Sequence, residues 1–230
     1  MSWTASPSPR ITLVGVGGTG CALLPLLAGQ PGLSLALIDG DTVEEHNLPR
    51  QLLYGPADVG RAKVHAAATA MRSRSHDDVL THFEFLSALN ARALLQGSAV
   101  VADCTDDLFA RELIATTCAP LGIPVVSGAV HGHQIQVHTR PTHPTGRPSP
   151  IFKGRPSEEQ VGCDMQRIPA SVIAITAALM SQRIVDLLSG GTGLAGVLDL
   201  VDTEHGRWMR LMGADAGEIM DTPVQRTFTA

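Results

Sequence analysis

Apolar residues along this chain fall into short continuous runs separated by stretches with helical spacing. Arg10 to Val16 and Leu33 to Ile38 read as strands buried on both faces, because their apolar positions are nearly continuous rather than alternating. Between them the spacing predicts a helix over 18–28, in which Pro25 removes one internal hydrogen bond and kinks the axis. The alternation then repeats. A helix is predicted near Gly60 to Arg74, a strand near Val79 to Phe85, and a helix from about Ala88 behind a Ser87 cap. A strand at Ala99 to Asp103, a helix at Leu108 to Cys118 and a strand at Ile123 to Gly128 follow. Strands of this kind alternating with helices predict an α/β fold, a Rossmann-like, mostly parallel sheet flanked by helices.

The pattern changes after residue 130. His131 to His138 alternates as a half-exposed strand would, and the crossover region 139–168 holds five prolines between Pro141 and Gly162 with no period. Loops longer than about 12–15 residues without structure of their own are usually functional or disordered. Pro169 suits the first turn of a helix that runs to about Leu188 and is ended by Gly190, Gly191 and Gly193. Val197 to Val201 and Trp208 to Met212 predict a C-terminal antiparallel extension, joined through Thr203 to Gly206. One domain over 10–212 is expected, with a flexible N-terminal tail at 1–9 and a polar C-terminal tail at 213–230.

Composition narrows the function classes. With 17 basic and 22 acidic residues the net charge is −5, and no run of Lys or Arg is present to track a nucleic-acid backbone or an anionic membrane. Bulk nucleic acid and membrane are therefore not the expected partners. The four cysteines, Cys21, Cys104, Cys118 and Cys163, include no C-x-x-C pair, so neither a structural zinc site nor a disulfide framework is expected, and a reducing cytoplasm fits. Ile11 to Ile38 carries no charge and imitates a targeting segment behind Arg10. Five glycines from 15 to 29, with Pro25 and Pro31, instead suit a strand, turn and helix.

That turn, Gly15-Val-Gly-Gly-Thr-Gly20, carries the first chemistry. Gly15 permits the tight turn, Gly17 and Gly18 leave room for a phosphate, and Gly20 lets the helix pack on the sheet. The amides and the positive end of the helix then face an anion. Asp39, 19 residues after Gly20, ends the second strand, where a carboxylate accepts from ribose hydroxyls. These features alone would suit a nicotinamide dinucleotide. Asp41, Asn47, Arg50, Gln51 and Lys63 redirect the reading, because two cations just beyond the ribose carboxylate suit the β and γ oxygens of a triphosphate and a departing pyrophosphate.

In these residues the chain resembles the ThiF/MoeB/HesA family, relatives of the ubiquitin-activating enzymes. The resemblance lies in Gly15 to Gly20, Asp39-Gly-Asp-Thr-Val-Glu-Glu-His-Asn-Leu-Pro-Arg-Gln51, Gly60-Arg-Ala-Lys63 and Asp103-Cys-Thr-Asp-Asp107, and continues through Val125 to Ala129 and the helix after Ile168. It implies that Asp39 binds ribose, that Asn47, Arg50, Gln51 and Lys63 hold the phosphates of ATP, and that Asp106 positions Mg²⁺. The implied reaction is attack by a carboxylate on the α-phosphorus of ATP. The implied partner is a ubiquitin-like or sulfur-carrier protein ending in glycine, and a homodimer is the implied assembly. Two positions depart from the family pattern: His46 stands where Ser is usual, and Asp107 where Asn is usual. The zinc cysteines of many relatives are missing, and Arg10, beside the first strand, is a poor substitute for the Arg that relatives supply across a dimer.

Other readings stay open at this stage. Cys163, in Gly162-Cys-Asp-Met165, lies where such enzymes can carry a nucleophile that takes over the acyl group, or it is an ordinary loop cysteine. Cys21, Cys104 and Cys118 fall on expected core faces. His131 and His133 share a strand face if the segment is extended, and with His138 suggest a metal site that lacks a ligand at metal spacing. The acid activated could instead be a small molecule, a peptide or a modified tRNA base. A nucleotide-binding scaffold without turnover is the alternative outside enzymes.

Overall fold

The computed structural model describes residues 8–72, 79–140, 168–191 and 195–212. Cys163 and most of the proline-rich crossover segment lie outside the described residues. Thirteen longer elements follow in order: β1 (Arg10–Val14), α1 (Gly18–Ala28), β2 (Ser34–Ile38), α2 (Lys63–Met71), β3 (Leu80–His82), α3 (Ala91–Leu95), β4 (Val100–Asp103), α4 (Leu108–Cys118), β5 (Val125–His131), β6 (Gln134–Arg140), α5 (Ala170–Leu188), β7 (Val197–Asp202) and β8 (Arg207–Met212).

The strands form one eight-stranded sheet in the order β3-β2-β1-β4-β5-β6-β7-β8. The first five pair in parallel and β5 to β8 pair antiparallel, as the alternation of elements and the C-terminal strand pair predict. The chain leaves β1 for β2 on one side and returns to β4 on the other. The crevice beyond the carboxyl ends of β1 and β4 is therefore the switch point, where α/β sheets bind ligands.

Two apolar layers hold the sheet. On one face Ile11, Leu13, Leu35, Leu37, Val126 and Val137 pack against α1, α2 and α5; on the other, Val101 and Val125 pack against Leu95, Ile114 and Cys118 of α3 and α4. A Cβ on Gly128 would lie 2.3 Å from Met180 Sδ, so α5 reaches β5 only because that position lacks a side chain. Among the described residues α5 is the helix long and apolar enough to cross a membrane, yet it packs on α1, β5 and β6 and buries Arg183.

Arg183 enters a buried ionic cluster. Its Nη2 lies 2.5 Å from Asp199 Oδ2, its Nη1 donates to Thr139 Oγ1 and the Val197 carbonyl, and Arg210 grips the other side of Asp199 at 2.7 Å. Burial acts to raise the Asp199 carboxyl, and the hydrogen bonds from Arg210 and Arg183 outweigh it and hold the group below its ordinary range.

Several expectations need correction. His131 to His138 is not one strand: Gly132, at φ +57°, turns the chain between β5 and β6. His131 thus ends one strand, His133 sits in the turn with Nδ1 3.4 Å from Thr203 Oγ1, and the proposed shared face does not exist. Among the described residues no group of three or more His, Cys, Asp or Glu is placed to hold a metal. Ser87 does not cap a helix at Ala88. Its amide donates to Asn90 Oδ1 at 2.7 Å, and α3 begins only at Ala91. The strand expected over 79–85 pairs only across Leu80–His82, because beyond it Phe83 and Phe85 turn outward, half or more exposed. The first helix, in contrast, spans Gly18–Ala28 with Pro25 inside it, as the spacing predicts.

His138 is buried in β6. Burial, with Arg140 and Arg183 nearby, lowers its imidazole to about 4, against roughly 6.5 in an unfolded chain. Between those values the unfolded chain binds a proton that the folded chain refuses, so this contribution to stability is full above about pH 6.5. It falls by up to about 3 kcal/mol as the pH drops through that window. Urea unfolding at pH 7 and pH 4.5 is expected to show the loss, and His138→Gln to show a smaller one.

Candidate active site

The glycine turn is built by backbone bonds before any ligand arrives. Gly15, at φ +89°, donates its amide to the Ile38 carbonyl at 2.9 Å, and a Cβ there would lie 3.0 Å from the Cys104 carbonyl oxygen. At Gly20 a Cβ would fall 2.2 Å from the Gly15 carbonyl oxygen, so α1 can start this close to the sheet only with glycine. Gly20 is consequently buried beneath the turn, whereas Gly15, Gly17 and Gly18 face a cleft of about 760 Å³. A Cβ on Gly17 would meet nothing closer than Gln51 Nε2 at 3.8 Å, which leaves room for an oxygen of a ligand.

Asp39, Asp41, Asn47, Arg50, Gln51, Lys63 and Asp106 line the same cleft, so the structure gathers the predicted site residues other than Gly20 and Cys163. Asp39 accepts from the Val16 amide with Oδ2 at 2.6 Å and from the Asp41 amide with Oδ1 at 2.8 Å. Burial pushes its carboxyl up, against the pull of those amides and of Lys63. Each carboxylate oxygen keeps a further lone pair for a hydroxyl donor.

Lys63 is buried, and its Nζ lies 2.8 Å from Asp41 Oδ2. Asp41 is therefore the counter-ion of Lys63 rather than a free ligand contact. Its exposed carboxylate keeps the ammonium at the cleft wall until a stronger anion competes. Gln51 is 3% exposed, and its Oε1 has no hydrogen-bond partner among the described residues. A buried acceptor left unpaired costs about 1–3 kcal/mol, which a donor brought by a ligand would recover. Arg50 donates through Nη1 to the His46 carbonyl at 2.8 Å and makes no ion pair among the described residues.

Asp103 ends β4, and its Oδ1 accepts from the Thr105 hydroxyl at 2.7 Å and the Thr105 amide at 3.1 Å. Arg111 binds the Thr105 carbonyl and, at 2.8 Å, that of Gly128, pinning the same loop to β5. Asp106 stands between these anchors, exposed and without a hydrogen bond or ion pair among the described residues. Asp107 instead caps α4, accepting from Phe109 N at 3.0 Å and Ala110 N at 3.3 Å. Since Asn and Asp are comparable N-caps, this departure from the family pattern preserves the local job.

Two residues of the site carry no sequence signal. Arg111 reads as an ordinary helix charge, and Tyr54 as a loop residue. The Tyr54 hydroxyl lies 2.9 Å from the Val16 carbonyl and 3.2 Å from that of Lys63, joining the glycine turn to the start of α2. Tyr54→Phe is expected to cost about 1–2 kcal/mol in thermal unfolding by leaving buried carbonyls short of a donor. Cys21 is buried, and its thiol, pushed up to about 12 by burial, is a packing group as expected; Cys104, half-buried, and Cys118 are likewise raised by burial. Arg10 bonds the Gln96 carbonyl at the opposite end of β1 from the cleft.

The ThiF family pattern matches residues 6–216. The chain belongs to the ThiF family. Among curated relatives, the molybdopterin-synthase adenylyltransferase of Escherichia coli is 32% identical over 212 residues, which are 88% of this chain and 83% of that protein. The adenylyltransferase and sulfurtransferase MOCS3 of Drosophila grimshawi is 34% identical over 198 residues, 84% of this chain and 44% of its own. The adenylyltransferase and sulfurtransferase uba4 of Aspergillus terreus is 38% identical over 142 residues, 60% of this chain and 29% of its own. This chain thus spans less than half the length of those two relatives. Among solved structures, PaaA superposes with a TM-score of 0.72 at 25% identity, over 90% of this chain and 64% of that one. Escherichia coli MccB with MccA-N7isoASN gives a TM-score of 0.78 at 16% identity, over 90% of this chain and 65% of that one, a likeness of fold.

Proposed function

We propose that this ThiF-family chain is an ATP-dependent adenylyltransferase that activates the C-terminal glycine carboxylate of a ubiquitin-like or sulfur-carrier protein. The observation that carries the reading is the cleft itself: Arg50, the Lys63–Asp41 pair, the unpaired Gln51 Oε1 and the unengaged Asp106 surround the amide-lined turn. The E. coli adenylyltransferase, covered over most of its length, supports the same chemistry. The substrate carboxylate oxygen attacks the α-phosphorus, its bond to the β-phosphate oxygen breaks, and acyl-adenylate and pyrophosphate result. ATP already contains the leaving group, so the protein contributes position and charge.

In this reading Asp39 holds the ribose and the amides after Gly15 face the phosphates. Arg50 and Lys63 neutralise the charge that accumulates on departing pyrophosphate. Asp106 fits a Mg²⁺ site: a hard cation with two or more phosphate oxygens needs only one or two protein carboxylates, and this one has no competing partner among the described residues. Bound there, the ion would withdraw charge from the phosphates.

Exchange of labelled pyrophosphate into ATP tests the proposal. The expected result is exchange that depends on a small carrier protein ending in Gly-Gly. Exchange driven only by small acids or short peptides would keep adenylation and replace the substrate; no exchange with any acid would leave a scaffold.

A further inference from the structure

His46 occupies the wall of the cleft beside the proposed phosphate site. Its Nδ1 lies 3.0 Å from Glu44 Oε2, and its carbonyl accepts from Arg50 Nη1 at 2.8 Å. The turn that carries it is closed twice, by Asn47 Oδ1 accepting from Glu44 N at 3.2 Å and by Asn47 N donating to the Glu44 carbonyl at 2.9 Å. The side chain is 49% exposed, and its Nε2 makes no hydrogen bond among the described residues.

We propose that His46 is a proton-dependent phosphate-binding group: as an imidazolium it donates from Nε2 to a β- or γ-phosphate oxygen while Nδ1–H stays on Glu44. The inference rests on reading the cleft as a triphosphate site. Its force comes from the tautomer. Glu44 holds the single proton of a neutral ring on Nδ1, so Nε2 then presents a lone pair to phosphate oxygens, acceptor against acceptor. Protonation turns that repulsion into a charge-assisted hydrogen bond. The charges around the ring are Glu44 and Glu45 on its own turn and Arg50 just after it; elsewhere on the cleft wall stand Lys63 and Arg111 with Asp39, Asp41, Glu84, Asp106 and Asp107.

The test is calorimetric binding of the α,β-methylene analogue of ATP with Mg²⁺, from pH 5.5 to 8.5, by the full chain and by His46→Gln and Glu44→Gln. The terminal phosphate also ionises near pH 6, and that effect is common to all three proteins. The dissociation constant of the natural chain is expected to rise about tenfold more over this range than that of His46→Gln. In Glu44→Gln, which no longer fixes the proton on Nδ1, an intermediate slope is expected. Equal slopes in the natural chain and His46→Gln would overturn the assignment. Absence of analogue binding by the natural chain at every pH would overturn the triphosphate reading beneath it.

Discussion

Arg50→Ala and Asp106→Ala are each expected to lower carboxylate-dependent pyrophosphate exchange by about 10²–10³-fold while leaving the fold intact. Both side chains border the cleft, and neither belongs to the core: among the described residues the Arg50 side chain donates only to the His46 carbonyl, and the Asp106 side chain makes no hydrogen bond. Truncation therefore removes charge from the reacting region without opening a cavity. The loss should fall mainly on kcat, because in the proposed mechanism Arg50 answers charge that develops as pyrophosphate departs and Asp106 would hold the cation that does the same. Arg50→Lys separates the causes. It keeps the charge but not the planar fork, so partial recovery would point to electrostatics and none to paired hydrogen bonding. Near-natural exchange in either alanine variant, with an unchanged melting transition, would remove that residue from the chemistry.

Asp199→Ala should have the largest effect on stability, about 3–5 kcal/mol. The carboxylate is 1% exposed and holds both Arg183 from α5 and Arg210 from β8, so its removal strands the buried Arg183 charge among Thr139 Oγ1 and the Val197 carbonyl. For a domain of this size that corresponds to a fall of about 10 °C or more in the melting temperature. The double variant Asp199→Leu with Arg183→Met replaces the buried pair by apolar groups and is expected to recover much of the loss, since no buried charge is then orphaned and Arg210, half exposed, turns to water. A single variant as stable as the natural chain would mean that water reaches Arg183 and the cluster is not a dry ion pair.

Legibility in the sequence followed the kind of force at work. The run of small and apolar residues from Gly18 to Ala28 and the Asp-capped stretch from Leu108 to Cys118 carry their own start and stop signals, and both helices lie where the spacing places them. The antiparallel pair β7–β8 was equally legible from its turn residues. By contrast, Gly132 lies in a polar segment that alternates like a strand, and only pairing of Val125–His131 with Gln134–Arg140 makes it a hairpin turn. The edge strand β3 is short for a similar reason: apolar Phe83 and Phe85 meet the strand pattern, but past His82 they lie against His65 and Gly40 and stay half or more exposed.

The site divides in the same way. Residues proposed to answer a ligand, Asp39, Arg50 and Asp106, are spaced recognisably along the chain. Residues that answer one another are not, because the Lys63–Asp41 pair and the Tyr54 bridge arise only when the stretch from 39 to 63 folds back on itself. That folding runs through Val43, whose amide donates to the Arg61 carbonyl at 2.8 Å and whose carbonyl accepts from Gly60 N at 2.8 Å. Asp107, a departure from the family motif, answers the protein itself: its carboxylate accepts from the first-turn amides of α4.

Titration calorimetry of the chain with Mg²⁺ and ATP, run beside NAD at the same concentrations, tests the central claim most directly. The cleft described above predicts saturable uptake of ATP, weakened in Arg50→Ala, and no measurable uptake of the dinucleotide. Tight binding of NAD with no heat from ATP would contradict it.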